Sequence, residues 1–99
     1  MKVVDIATSE IEDFCHRRKI IEFALFGLIL WEDFGPESDV DVLVTFAEDS
    51  EWSLYDLVDM QEELRVMFGR DVDLVLKSGL RNPFRRREIL RTQRVIYAA

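Results

Sequence analysis

The sequence predicts an α/β (α+β) fold, a small mixed β-sheet flanked by helices. Three observations carry that expectation. Apolar runs at 20–26, from about 39 to 46 and at 71–76 read as strands. Stretches with helical spacing and their own capping residues stand before, between and after them. The 99 residues, 48% hydrophobic and 33% charged, suit one soluble core and a single domain over 1–99, too small to hold a separate substrate-binding domain.

Each element has a local cause. Ser9-Glu-Ile-Glu12 has the form of a capping box, and Ile11, Phe14 and Cys15 follow on one side of a helix from about Glu10 to Arg18. The strand at Ile20 to Phe26 is apolar almost throughout, which suits a central position. Gly27 ends it, residues 28–33 are read as a short helix, and Gly35-Pro36 turns the chain into the second strand. After an acidic loop at 47–51, Ser53 caps a helix with Asp56 at its third position. Leu54, Leu57, Val58, Leu64 and Phe68 are its expected buried stripe, and Gly69 its end. Asn82 and Pro83 open a last helix, on which Arg87, Arg91 and Arg94 share a face if it runs that far.

Composition excludes several classes of function. No run is long enough to span a membrane and the first residues lack the apolar core of a signal peptide, so a cytoplasmic protein is expected. One cysteine, Cys15, and one histidine, His16, make neither an internal disulfide nor a zinc site. The net charge of −7 argues against direct nucleic-acid binding. That charge is uneven, because residues 81–94 hold six arginines against Glu88 alone, a local +5 that leaves −12 elsewhere. Such asymmetry points to an anionic ligand or an acidic partner surface.

The chemistry sits in the second strand. Its alternation puts Asp39, Asp41 and Leu43 on one face and Val40, Val42 and Val44 on the other. Carboxylates so placed repel each other unless a cation lies between them, and Mg²⁺ takes one or two carboxylates while leaving positions for water and phosphate. A bare Asp-x-Asp is more often only a solvated strand start. Here it follows a strand-ending glycine whose neighbouring amides can hold a phosphate, and a third strand offers Asp71 and Asp73. The three features together are the equipment of metal-assisted phosphoryl or nucleotidyl transfer with two Mg²⁺ ions.

At these residues the chain resembles the nucleotidyltransferase superfamily of DNA polymerase beta and kanamycin nucleotidyltransferase. Gly27-Leu28, ten residues, then Asp39-Val-Asp41 is similar to its Gly-Ser-x10-Asp-x-Asp signature. Phe26-Gly27, Ser38, the Val72-Asp73-Leu74-Val75 strand and the Arg81-Asn-Pro-Phe-Arg-Arg-Arg-Glu-Ile-Leu-Arg91 tail resemble the minimal nucleotidyltransferases in particular. The resemblance implies Asp39, Asp41 and Asp73 as metal-binding catalytic carboxylates, with Asp73 also promoting attack by the acceptor hydroxyl. Asp71 shares the strand face of Asp73, and only the family pattern favours Asp73. Gly27, Leu28 and Ser38 would line the nucleotide.

Many minimal nucleotidyltransferases are antitoxins of a HEPN-type ribonuclease toxin. The resemblance therefore implies transfer of AMP from ATP to a toxin tyrosine, with Mg²⁺ as cofactor, the toxin as partner, and a homo- or hetero-oligomer compatible with that role. Two positions depart from the family. Leu28 stands where the family has a phosphate-binding serine, and Trp31 stands where it usually has an arginine. Loss of the hydroxyl removes a contact to a charged oxygen of about 1.5–3 kcal/mol. The alternative expectation is therefore an antitoxin that masks its toxin by binding alone, with the apolar 28–31 segment as a packing surface.

Overall fold

The computed structural model describes residues 8–27 and 39–99. In chain order they form α1 (Thr8–Arg18), β1 (Ile20–Phe26), β2 (Val40–Phe46), α2 (Leu54–Phe68), β3 (Val72–Leu76), a 3₁₀ turn (Lys77–Gly79), α3 (Pro83–Thr92) and β4 (Arg94–Ala98). The expected short helix at 28–33 and the Gly35-Pro36 turn lie outside the described residues.

Four strands make one mixed sheet in the order β3-β2-β1-β4. β1 pairs antiparallel with β2 and with β4, whereas β2 and β3 run parallel, joined by the α2 crossover. A parallel pair needs such a crossover, because no tight turn can return the chain to the same end of the sheet. The Val40 amide donates to the Asp71 carbonyl at 2.9 Å and pins the start of both strands.

Alternation along the strands divides the core between two faces. Phe23, Leu25, Val40, Val42, Val44 and Val72 pack with Ile11, Phe14 and Cys15 of α1 and Met60 and Leu64 of α2. On the other face Ala24, Phe26 and Leu43 pack with Leu80 and with Ile89 of α3. α1 and α2 are tied further by Glu63, which accepts from Arg17 at 2.6 Å and Arg18 at 3.1 Å.

The capping of α2 is as the sequence predicts. The Asp56 amide donates to Ser53 Oγ, the Ser53 amide donates to the Asp56 carboxylate at 2.8 Å, and Gly69 closes the helix in the left-handed conformation. Asn82 likewise accepts from the amides of Phe84 and Arg85 at the start of α3.

Four expectations need correction. Thr8 and Ser9 are already helical, so Ser9 stands inside the first turn of α1 rather than capping it. In α2 Leu54 and Val58 are 74% and 61% exposed, and the buried side is instead Met60 and Leu64, with Leu57, Met67 and Phe68 packed beside them. The apolar residues of α2 outnumber one face, so spacing alone admits a stripe rotated by a turn. α3 ends at Thr92, which puts Arg94 on β4 rather than on the helix with Arg87 and Arg91. β4 itself is a fourth strand that the sequence reading merged into the helix. Arg94-Val-Ile-Tyr-Ala is rich in β-branched and aromatic residues, but its arginine continues the basic pattern of α3.

Candidate active site

The strand alternation that buries Leu43 turns Asp41 to the same face, two residues nearer the start of β2. On either side, Phe26 of β1 and Asp73 of β3 are its register partners. Asp39 lies one residue before β2 and is exposed, Asp73 is exposed, and Asp41 is half-buried. Three carboxylates, two on paired strands and one just before β2, are thus gathered at one end of the sheet, beside the last residue of β1.

Their closeness is visible in the ionisation of Asp41. Burial raises its pKa above the ordinary carboxylate value, and the charges of Asp73 and Asp39 raise it further. The guanidinium of Arg85 acts in the opposite direction. Asp71 precedes β3, whereas Asp73 stands in register beside Asp41 across the parallel pair.

Gly27 completes the arrangement. It has φ +78, a conformation that residues with a Cβ rarely adopt, and a Cβ built on it would overlap the Asp41 Oδ2 atom and lie 3.0 Å from Cγ. The glycine therefore does two things at once. It turns the chain away from β1, and it leaves room for the carboxylate of the neighbouring strand. Leu28 and Ser38, the other expected nucleotide-binding positions, and Trp31 lie outside the described residues.

Among the described residues, no three His, Cys, Asp or Glu side chains converge closely enough to enclose a metal ion. The carboxylates fit an open site of the Mg²⁺ kind, in which one or two carboxylates and the phosphates of a substrate share a cation with water. The mutual repulsion expressed at Asp41 is the charge that such an ion would offset. A groove of about 800 Å³ opens between α1 and α2 on the opposite face, but Glu10, Asp13, Asp59, Glu62 and Glu63 line it against Arg17 alone. That surplus of negative charge repels a nucleotide.

Comparison with known proteins agrees with the geometry. Residues 9–96 match the nucleotidyltransferase domain. The chain belongs to that family. This nucleotidyltransferase is 32% identical over 81 residues to protein adenylyltransferase MntA of Thermococcus cleftensis, covering 82% of this chain and 80% of the relative. Its fold is similar to that of a chain in a crystal structure of a toxin-antitoxin with AMP-PNP, with TM-score 0.75 and 17% identity over 95% of this chain and 75% of the other. It is also similar to a chain in the complex of the tri-AMPylated Shewanella oneidensis HEPN toxin with an MNT antitoxin, with TM-score 0.65 and 17% identity over 93% and 70% of the two chains. Among the described residues no helix is long and apolar enough to cross a membrane.

Arg85 is the residue that sequence reasoning did not single out from its five neighbours in the tail. The signal available was its spacing. It stands four residues before Ile89, the one buried residue of α3, and hence on the helix side that meets the sheet.

Proposed function

We propose that this nucleotidyltransferase is a Mg²⁺-dependent protein adenylyltransferase that transfers AMP from ATP to a tyrosine of a HEPN-type toxin and so acts as its antitoxin. The observation that carries the reading is the in-register pairing of Asp41 with Asp73 against Gly27. The AMP-PNP and HEPN complexes among its structural neighbours, and the relative named as a protein adenylyltransferase, support the choice of nucleotide and partner.

In this reading Asp39, Asp41 and Asp73 would hold Mg²⁺. When bound, the ion neutralises triphosphate charge and favours the ionised acceptor. Asp73, the more exposed of the paired strand carboxylates, is open to a large acceptor. It accepts the proton of the tyrosine hydroxyl as the phenolic oxygen attacks the α-phosphorus. The bond from that phosphorus to the bridging oxygen breaks, and its electron pair leaves with pyrophosphate. Gly27 keeps the Asp41 carboxylate in place, and the small domain leaves the acceptor to be presented by the toxin's own surface.

The presence of Leu28 favours a second reading, an antitoxin that masks the toxin without chemistry. Intact-mass spectrometry of the toxin after incubation with the protein, ATP and Mg²⁺ decides between them, with Asp39→Asn plus Asp41→Asn as the control. Increments the size of AMP that vanish in the control support transfer. A stable complex with no increment overturns it in favour of masking.

A further inference from the structure

The six arginines of residues 81–94 are not equivalent in the structure. α3 lies across the sheet face that carries Asp41 and Leu43, with Ile89 buried among Ala24, Phe26, Leu43 and Leu80. One helical turn before Ile89 is Arg85, and one same-face step before Leu43 is Asp41. The packing of Ile89 on Leu43 therefore sets Arg85 and Asp41 on facing surfaces, each one same-face step from that contact along its own element.

Two other arginines of α3 are already engaged. Arg86 donates to the Lys77 carbonyl at 3.1 Å and Arg91 to Glu88 at 3.0 Å. The Arg85 guanidinium is exposed and has no hydrogen bond or ion pair with any described residue, although three carboxylates lie on its side of the sheet. Its donors are thus open with respect to the described residues. A guanidinium with open donors presents a planar fork that matches two oxygens of one phosphate.

We propose that Arg85 binds the polyphosphate of a nucleoside triphosphate from the helix side, opposite the carboxylates of Asp41 and Asp73. The inference rests on the nucleotidyltransferase reading and adds to it a residue that holds the departing group. As the bond to the α-phosphorus breaks, the electron pair settles on the diphosphate oxygen, and Arg85 meets that growing charge without giving up its own proton. It also offers the phosphates a side-chain donor on a chain whose position 28 has none.

The test is calorimetric binding of α,β-methylene-ATP and of AMP, each with Mg²⁺, to the wild-type protein and to the Arg85→Gln, Arg85→Lys and Arg87→Gln variants. Arg85→Gln should weaken the triphosphate analogue roughly ten- to a hundredfold while changing AMP by less than about threefold, with Arg85→Lys between and Arg87→Gln unchanged. In turnover, Arg85→Gln should lower kcat as well as raise KM for ATP. Equal weakening of AMP, or no weakening of either, overturns the inference while leaving the nucleotidyltransferase reading intact, since the wild type still binds. Failure of the wild-type protein to bind the analogue overturns both. Unfolding midpoints of the variants within about a degree of wild type are expected from the exposure of both arginines.

Discussion

Gly27, one residue past the end of β1, lies so close to Asp41 of the adjoining strand that the glycine has no side-chain space left: its Cβ position is taken by the carboxylate. Backbone and site are thus a single constraint. Gly69, at φ +73, shares the left-handed conformation but has nothing within reach of an added Cβ. The two glycines separate conformational strain from steric displacement.

Gly69→Ala should cost about 1 kcal/mol in urea unfolding and leave adenylyl transfer unchanged. Gly27→Ala should cost about 1–3 kcal/mol through the same strain, and in addition abolish transfer by displacing Asp41. Equal activity in the two variants would show that the Asp41 carboxylate has room to move without consequence.

Asp41 makes a contribution to the pH dependence of the metal-free protein that is opposite in sign to that of Glu63, whose carboxyl Arg17 and Arg18 hold below its ordinary value. The folded pKa of Asp41 lies above the unfolded value, so the fold favours the protonated form. The resulting stability is present below the unfolded pKa and is lost as the pH rises through the folded one. Near neutral pH the charge is therefore a burden, and Asp41→Asn should melt higher than wild type there while losing activity. The difference should fade as the pH falls to the ordinary carboxylate value of 3.8. A lower melting temperature for Asp41→Asn at pH 7 in the presence of chelator would contradict this account.

Mg²⁺ should reverse that order. A cation bound by the folded carboxylates stabilises by mass action, about 2.7 kcal/mol at a hundredfold excess over Kd. Thermal scans with increasing Mg²⁺ should raise the wild-type midpoint, with a smaller rise for Asp41→Asn. Parallel curves for the two proteins would place the ion elsewhere.

Cys15 should be inert in the native protein. Burial, reinforced by Glu12, pushes its thiol up to about 12, so almost no thiolate exists at pH 8. Titration with a chromogenic disulfide should show no release until denaturant unfolds the chain, and one equivalent after it does.

The sequence made β1, the two aspartate-bearing strands, the α2 caps and the Asn82-Pro83 start of α3 legible, because each is governed by a local rule of alternation or capping. It also placed Gly27, Asp39, Asp41 and Asp73 as candidates. What it left undetermined depends on neighbours distant in the chain. Asp73 is distinguished from Asp71 only by which lies beside Asp41 across the parallel pair. Arg85 is distinguished from Arg87 only by the face on which Ile89 packs. β4 became a strand because β1 had a free edge for it, a fact that a five-residue segment cannot express.

The crossover through α2 also has an electrostatic consequence. Because β2 and β3 are parallel, α2 must return to the end of the sheet from which both strands begin, and it delivers its carbonyl terminus, at Gly69, to the sheet end that holds the carboxylates, on the opposite face. That terminus carries a partial negative charge of about half an electron. Helix end and aspartates together make this end of the molecule repel a bare polyanion, so the order of arrival is constrained. Nucleotide should associate as its magnesium complex, and the association rate should climb with free Mg²⁺ at fixed ionic strength.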